Sequence, residues 1–285
     1  MSHQVVRSVT VLFAFAMMVT FLEDAVVETL DLAEQAFDDQ YLGCTREMER
    51  KLEENNVLDA ENRKNEKFKE AWEAAKIFWI LRKNNLKAKL PPGFKDNHGI
   101  ALLAYTGFMR KDFNDAVKTA GRSYSSYKDN FDFKWLHFYI TSALHLLSES
   151  HRHTHEKVYG GIDEDIVVQP NRRSFVKFGH FFYTSLCERK AKVMGNKSLL
   201  IFFNYTGVNI EDFAFNSCEQ EVLIPGYEVF SLSPVIERKK YFEMKSSKTF
   251  CSNFNCAYIT GEKSVLSVQE CITDADPHGR RHGLK

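Results

Sequence analysis

The sequence has no excess of charge of either sign. Its 285 residues include 38 Lys and Arg and 38 Asp and Glu, so the formal net charge is +0. Proteins that bind nucleic acid or anionic membranes through charge need a strongly basic face. The composition therefore gives no indication of a nucleic-acid partner. With 44% hydrophobic residues, the chain is long enough to bury the core of one sizeable domain.

Two common signatures of nucleotide and metal sites are also missing. No G-x-G-x-x-G segment is present, so any dinucleotide must be held in a non-Rossmann way. None of the six cysteines forms a Cys-x-x-Cys pair, and no matching histidine spacing accompanies them. His151, His153 and His155 alternate in a charged loop, where such histidines are more often solvated than metal-bound. We therefore expect no metal site.

A long hydrophobic run occurs near the N-terminus, from Val9 to Phe21, behind the basic Arg7. Its length is typical of a secretory signal and too short for a confident membrane span. We predict a signal peptide over residues 1–27, with an uncleaved N-terminal anchor as the alternative. The C-terminal residues 276–285 are polar and basic, and so lack the hydrophobic tail that precedes a lipid anchor. We expect a secreted, extracellular protein with no membrane anchor.

Two further features fit the secretory route. Six cysteines in a secreted chain are expected to form disulfides. Two N-glycosylation sequons are present, Asn196-Lys197-Ser198 and Asn204-Tyr205-Thr206. Because Asn204 falls in a predicted strand, Asn196 is the stronger candidate.

The first half of the chain has helical periodicity. Between residues 44 and 86 an apolar stripe at i, i+3 and i+4 spacing predicts a helix with one buried face. The stripe consists of Phe68, Ala71, Trp72, Ala75, Phe78 and Trp79. Ligand stacking is the alternative role for such aromatics, but core packing is far more common. Asp96 or Asn97 is expected to cap a helix through residues 100–105, and another helix is expected over residues 132–147.

The second half contains short runs typical of β-strands. They cover residues 157–159, 178–186, 198–205, 219–230, 241–245 and 255–259. Helices followed by strands predict an α+β domain, not an alternating parallel-sheet fold.

The run over residues 219–230 carries a candidate catalytic pair. Pro225-Gly226 divides it, which predicts a strand, a break and a second strand. Because side chains alternate along a strand, Glu219 and Glu221 are expected on one face. Two neighbouring carboxylates suit chemistry at a sugar carbon, where an oxocarbenium-like transition state needs a carboxylate beside it. A solvated strand edge is the structural alternative.

The sequence of this run, Glu-x-Glu-Val-Leu-Ile-Pro-x-x-Glu-Val-Phe, resembles the signature strand of the vertebrate ecto-ADP-ribosyltransferases. Further segments similar to that family follow in its order: residues 36–44, 94–106, 138–147, 178–181 and 255–258. The resemblance covers roughly residues 30 to 260. Residues 95–98 and the cysteine-rich end are more similar to the third mammalian member of the family.

This resemblance implies a fold and an activity. The fold would have a helical N-terminal half and two small packed β-sheets that form an NAD cleft. It implies a transferase domain over residues 28–262, followed by a tail over residues 263–285. The activity would transfer ADP-ribose from NAD, or from NADP, to arginine side chains of extracellular target proteins. A monomer is expected.

The resemblance also implies roles for individual residues. Glu221 would stabilise the oxocarbenium ion, Glu219 would orient or deprotonate the acceptor guanidinium, and the loop over residues 213–218 would contact the target protein. Phe178 and Ser185 would contribute to the cofactor site.

The sequence departs from the family at two cofactor-binding positions. Gly160 stands where the family has an arginine that holds the NAD phosphate, and Tyr183 stands where it has a serine. Arg172, Arg173 or Lys177 is a candidate replacement for the arginine. Two hypotheses therefore remain, an active arginine mono-ADP-ribosyltransferase and a catalytically inactive family member that acts as a binding protein.

The resemblance implies one disulfide, between Cys44 and Cys256, which would join the N-terminal segment to the last strand. Cys251 with Cys271 is our expectation for a second. The pairing of the remaining cysteines, Cys187 and Cys218, stays open.

Overall fold

A computed structural model describes residues 27–28, 30–150, 157–166, 174–215, 220–236, 238–263 and 271. The predicted signal peptide, apart from its last residue, and the alternating histidines at 151–155 lie outside these residues. None of the helices in this part of the chain is long and apolar enough to span a membrane.

Helices occupy the first half of the chain, as the periodicity predicts. They are α1 (Thr45–Glu54), α2 (Val57–Lys64), α3 (Glu66–Leu86), α4 (Asp96–Ala104), α5 (Arg110–Ala120) and α6 (Lys134–Ser150). The predicted stripe on α3 is buried, except that Phe78 is only partly covered. A π-helical segment, Tyr105–Met109, joins α4 directly to α5.

Helix capping differs from expectation at α4. Asp96 is the first helical residue, preceded by Lys95, so the predicted cap at Asp96 or Asn97 is wrong. The carboxylate of Asp96 accepts a hydrogen bond of 2.8 Å from the indole of Trp79 on α3. This tertiary contact occupies the side chain. Helix α6 begins against another distant carboxylate, Glu61 of α2, which accepts from the backbone N–H of Lys134 at 2.7 Å.

Within the described residues, eight strands form one sheet. They are β2 (Lys157–Ile162), β4 (Ser174–Val176), β5 (Phe182–Ser185), β6 (Ser198–Phe203), β7 (Val208–Asn209), β8 (Glu221–Ile224), β9 (Glu228–Pro234) and β10 (Tyr241–Phe250). Their order in the sheet is β4-β9-β10-β6-β2-β5-β8-β7. The neighbours pair antiparallel except for β6 and β10, which are parallel. A separate parallel pair joins β1 (Val27–Glu28) to β3 (Asp165–Ile166).

The sheet consists of two halves joined at a narrow junction. Strand β2 pairs with β6 along its whole length, from Lys157 opposite Phe203 to Ile162 opposite Ser198. On its other side it pairs with β5 only where Tyr159 lies opposite Ser185. The α+β architecture is therefore confirmed, and the two expected sheets meet along this line.

Two apolar clusters fill the interior. The helical core contains the buried faces of α1–α6, with Phe37, Phe181 and Phe213 packed among them. The sheet core lies among the strands and is rich in aromatic rings. Its phenylalanines are Phe178, Phe182, Phe202, Phe230 and Phe242.

The segment of residues 36–41 connects these parts and is buried throughout. Asp39 accepts three backbone hydrogen bonds of 2.8 Å, from Tyr41, Cys256 and Ala257. Asp38 pairs with Lys177 and also accepts from the backbone of Asn253. Burial outweighs these hydrogen bonds and raises the pKa of Asp39 to about 6.

Both expected disulfides are present, Cys44–Cys256 and Cys251–Cys271. Two short helices lie among the described residues of the second half, α7 (Glu188–Met194) and α8 (Ala257–Thr260). The predicted strand over residues 255–259 is wrong, because α8 forms there instead. Cys256 has a left-handed backbone, with φ of 61°, and its N–H points at Asp39. These contacts turn the chain into a helical turn where local β-propensity favours an extended run. The disulfide therefore ties α1 to this helix.

We predict that His137 makes stability pH-dependent. Its ring nitrogen Nδ1 lies 2.7 Å from the hydroxyl of Tyr41, and burial lowers its pKa to about 3. The unfolded chain protonates this histidine near pH 6.5 and the folded chain does not, so stability is lost as pH falls. Between pH 7 and pH 5, the stability advantage of the native chain over His137→Gln should shrink by about 2 kcal/mol.

Urea unfolding at both pH values measures this difference. Tyr41→Phe is the matched control, since it removes the same hydrogen bond without removing a group that titrates between pH 5 and pH 7. Its effect on stability should be independent of pH across this range, and parallel profiles for both variants would contradict the assignment.

Candidate active site

The strand register brings three polar residues into one row. Ser185 on β5 lies opposite Glu221 on β8 and opposite Tyr159 on β2. Side chains opposite each other on paired strands point to the same face, as do residues two apart on one strand. Tyr183 on β5 therefore shares a face with Ser185 and Glu221.

Glu221 lies at one end of this row, next to Ser185. It is 1% exposed, and the hydroxyl of Tyr183 donates a short hydrogen bond to its Oε1. A carboxylate removed from water acts on a nearby positive charge far more strongly than one at the surface. The site thus places a carboxyl group, shielded from water, where it could stabilise a developing cation when ionised.

The backbone on both sides of Glu221 is held in place. Its carbonyl accepts from the N–H of Ile210 at 2.9 Å, and the carbonyl of Gln220 accepts from Leu186 at 3.0 Å. The strand begins at Glu221, and Gln220 is left-handed with φ of 52°. Strand alternation therefore does not extend through Gln220, and the argument that Glu219 shares a face with Glu221 does not hold. Glu219 itself lies outside the described residues.

A cavity of about 430 Å³ opens beside Glu221 and Tyr183. Its other lining residues are Thr106, Arg110, Arg189, Lys190, Val193 and Met194. Three of these are cationic, and Glu221 is the carboxylate among the lining residues in the described part of the chain. The guanidinium of Arg110 lies 4.4 Å from the centre of the Tyr183 ring, in a cation–π contact. The cavity is large enough for part of a nucleotide.

Gly160 is packed against aromatic rings. A Cβ at this position would lie 2.3 Å from Cε1 of Phe182 and 3.2 Å from Cε2 of Phe202. Real Cβ atoms do not approach so closely, so any side chain here requires the ring of Phe182 to move. The position at which the family's arginine is expected is therefore filled by an apolar ring in this chain.

The other expected cofactor-binding residues have different surroundings. Ser185 is fully buried, and its hydroxyl accepts from the N–H of Cys187 at 3.0 Å. Phe178 lies in the sheet core, with its ring centre 4.3 Å from that of Phe182. Cys187 has a free thiol, and Cys218 lies outside the described residues.

The candidate replacements for the missing arginine are not supported. Lys177 has no solvent-exposed side-chain surface and pairs with Asp38. It lines a smaller cavity of about 170 Å³ that does not include Glu221. Arg172 and Arg173 lie outside the described residues. Within the described ranges, no group of three or more His, Cys, Asp or Glu could hold a metal ion.

The loop before β8 is anchored to the helical half. Arg82 on α3 donates to the carbonyls of Ala214 and Phe215. Phe215 also donates its N–H to Thr106 Oγ1 at 3.0 Å, and its ring lies between Phe78 and Phe108. Of the expected target loop over residues 213–218, the first half is therefore fixed beside the cavity, and residues 216–218 are not described.

The comparisons with known proteins agree with this geometry. A sequence model of the family "NAD:arginine ADP-ribosyltransferase" matches residues 30–252. The chain belongs to this family. It is 36% identical to bovine ecto-ADP-ribosyltransferase 5 over 255 residues, covering 87% of this chain and 79% of the relative. It is 34% identical to human ecto-ADP-ribosyltransferase 3 over 276 residues, covering 94% and 68% of the two chains.

The solved structures give the same result. The crystal structure of the eukaryotic mono-ADP-ribosyltransferase ART2.2 superposes with a TM-score of 0.69 at 37% identity, covering 81% of this chain and 99% of that one. Glutamate variants of ART2.2 have been solved in complex with NADH and with NAD. The fold expected from the sequence is thus confirmed, and the third mammalian member is one of several relatives at similar identity.

Sequence reasoning missed the cationic residues of the cavity. Arg110 begins α5, a helix that was not predicted, and Arg189 and Lys190 lie in the first turn of α7 (Glu188–Met194). Their separation in sequence carries no spacing signal. Arg82 was equally hidden, since it lies on the exposed side of a helix that was identified only by its apolar stripe.

We predict that Gly160 and Phe182 are energetically coupled. Gly160→Arg alone overpacks the sheet core and should lower the free energy of unfolding by about 2 kcal/mol or more. Phe182→Ala alone leaves a cavity and should cost about 3 kcal/mol. In the double variant the new side chain uses the vacated space, so its cost should be smaller than the sum by at least about 1 kcal/mol.

Denaturant unfolding of the native chain, both single variants and the double variant provides the full cycle. Ile166→Arg, with and without Phe182→Ala, is the control for an arginine introduced at another buried position of the sheet core. Strict additivity at position 160 would show that Phe182 does not occupy the arginine's space.

Proposed function

We propose that this protein is an NAD-dependent arginine mono-ADP-ribosyltransferase in which Glu221 is the catalytic carboxylate. The observation that carries the proposal is the buried Glu221, held by Tyr183 at the wall of a 430 Å³ cavity. Family membership supplies the reaction class, and this geometry supports the assignment of the residue.

The reaction requires stabilisation of positive charge at a sugar carbon. The bond between C1′ of the ribose and the nicotinamide nitrogen breaks, and its electron pair leaves with nicotinamide. The carboxylate of Glu221, shielded from water, stabilises the oxocarbenium-like transition state electrostatically. A guanidinium nitrogen of the acceptor arginine then forms the new bond to C1′ and gives up a proton.

Tyr183 acts as a positioning residue in this scheme. Its hydroxyl fixes Oε1 of Glu221, which leaves the carboxylate pre-oriented and reduces its reorganisation during the reaction. Like the family's serine, Tyr183 carries a hydroxyl at this position, and its ring lines the cavity. Glu219 would deprotonate or orient the acceptor. Phe178 and Ser185 would contribute to the cofactor site.

The proposed substrates are NAD and arginine residues of extracellular target proteins. Solved NAD and NADH complexes of a relative support NAD over NADP. The ecto-enzyme relatives and the disulfides support an extracellular site of action. We also propose that residues 28–262 form the transferase domain, with residues 263–285 as its tail and residues 1–27 as a signal peptide, and that the protein acts as a monomer.

We predict that Glu221→Gln abolishes transfer while retaining NAD binding. The substitution keeps the size of the side chain and removes the negative charge that the transition state requires. Removal of one electrostatic contact of this kind costs about 10²–10³ in turnover or more. Transfer from NAD to agmatine, a small guanidinium acceptor, measures turnover, and calorimetry measures NAD affinity.

Glu211→Gln is the matched control, since it removes a partly exposed glutamate from the nearby 3₁₀ turn Glu211–Phe213. It should leave turnover unchanged within about twofold, as surface substitutions usually have small effects. Full activity in Glu221→Gln would exclude Glu221 as the catalytic carboxylate. Absence of both NAD binding and transfer in the native chain would favour a binding protein instead.

We predict that Asn196 carries the glycan and Asn204 does not. Asn196 is exposed, whereas Asn204 is 7% exposed and its Oδ1 accepts from the N–H of Gly207 at 2.9 Å. Thr206 of the second sequon is bound to the buried Glu228. On secretion from animal cells, Asn196→Gln should remove the mobility shift caused by glycosidase, and Asn204→Gln should not. A shift that persists in Asn196→Gln would assign the glycan to Asn204.

A further inference from the structure

The pyrophosphate of NAD needs cationic partners, and the usual one is missing here. Gly160 carries no side chain, and Phe182 fills the adjacent space. Lys177 is buried against Asp38. Arg172 and Arg173 lie outside the described residues, so the positive charge that the described residues offer to an NAD pyrophosphate must come from another part of the structure.

The cavity beside Glu221 contains such charge from two elements of the fold. Arg110 comes from the first turn of α5, and Arg189 and Lys190 come from the first turn of α7. Neither arginine forms an ion pair with a carboxylate in the part of the chain that the structure describes. Among the described residues, no carboxylate therefore neutralises the charge of either guanidinium group.

The orientation of Arg110 is set by Tyr183. Its guanidinium lies over the ring at 4.4 Å from the centre. A cation–π contact uses the face of the ring and leaves the N–H donors of the guanidinium free to form paired hydrogen bonds to phosphate oxygens. Tyr183 thus holds Glu221 through its hydroxyl and Arg110 through its face. The substitution that removes the family's serine is the same one that positions this arginine.

The charge balance of the cavity matches the ligand. Among the residues that the structure describes, its lining has three cationic side chains and one carboxylate, Glu221. NAD presents a negative charge on each phosphate and a positive charge on the nicotinamide ring. The cations would therefore face the pyrophosphate, and Glu221 would face the nicotinamide ribose.

We propose that Arg110, Arg189 and Lys190 form a relocated pyrophosphate-binding site that replaces the arginine absent at position 160. This inference rests on the proposed function, because it assigns a subsite of the same NAD cavity. The site accepts the shared ADP-pyrophosphate portion of NAD and ADP-ribose. Phe182 in turn fills the space beside position 160, where the family's arginine is expected.

The test measures binding of NAD and of ADP-ribose by calorimetry on the full, disulfide-intact chain. Charged hydrogen bonds of this kind correspond to about tenfold or more in affinity each. Arg110→Gln/Arg189→Gln/Lys190→Gln should weaken the binding of both ligands by at least about a hundredfold. Arg110→Lys/Arg189→Lys, which retains the charge, should weaken binding less.

The control variant is Lys111→Gln/Lys192→Gln. It removes a lysine from each of the same two helices, where Lys111 pairs with Asp115 and Lys192 with Glu188 outside the cavity. NAD affinity should remain within about twofold of the native chain, because surface substitutions have small effects. If the triple variant does not unfold cooperatively, Arg110→Gln and Arg189→Gln singly provide the same comparison, each with about a tenfold loss.

The outcomes separate this inference from the proposed function. Native-like NAD affinity in a folded triple variant overturns the relocated site and leaves the transferase assignment intact. ADP-ribose binding that depends on the three cations, without NAD turnover by the native chain, supports the site and overturns the transferase assignment. Failure of the native chain to bind either ligand overturns both.

Discussion

The structure depends on the burial of two adjacent carboxylates near the N-terminus. Asp38 and Asp39 lie in a segment with no regular secondary structure, yet they bind backbone groups more than 200 residues away in sequence. Buried carboxylates are tolerated only when they are paired or hydrogen-bonded. Loss of one of these contacts would leave a buried carboxylate less well compensated. Residues 36–41 therefore hold the C-terminal loop, the sheet and the helical half in one arrangement. The Cys44–Cys256 disulfide closes the same junction covalently.

The active-site geometry follows from this arrangement. The helical half contributes Thr106, Arg110 and the Arg82 contacts to the loop, whereas the sheet contributes Tyr183 and Glu221. A cavity that is built from both halves exists only when they are docked. The strength of Glu221 as a stabiliser of positive charge also depends on docking, because exposure to water would screen it. Stability of the junction and competence of the site are thus linked.

The local sequence pattern, meaning the spacing of apolar residues and the positions of Pro and Gly, predicted those helices and strands that bury one face. The stripe on α3 and the divided strand around Pro225-Gly226 belong to this class, and the motif order identified the family. Prediction failed where a distant group overrides local preference. The predicted strand over residues 255–259 gives way to the helix Ala257–Thr260 because Asp39 binds the backbone there, and Asp96 is not a cap because Trp79 takes its carboxylate. In the candidate site, Glu221 and Tyr183 were predictable from the motif. The cations were not, because packing of α5 and α7 brings them together.

The narrow junction between the halves of the sheet has a mechanical consequence. Two strands joined along one register pair resist a change in their angle much less than strands joined along their whole length. Helix α7 packs on both β2 and β5 and so bridges this line. A bound anion held by Arg189 and by Arg110 would add a second bridge across the same line. Occupancy of the cavity would thereby stiffen this junction, and amide hydrogens of β2 and β5 would exchange more slowly when the cavity is filled.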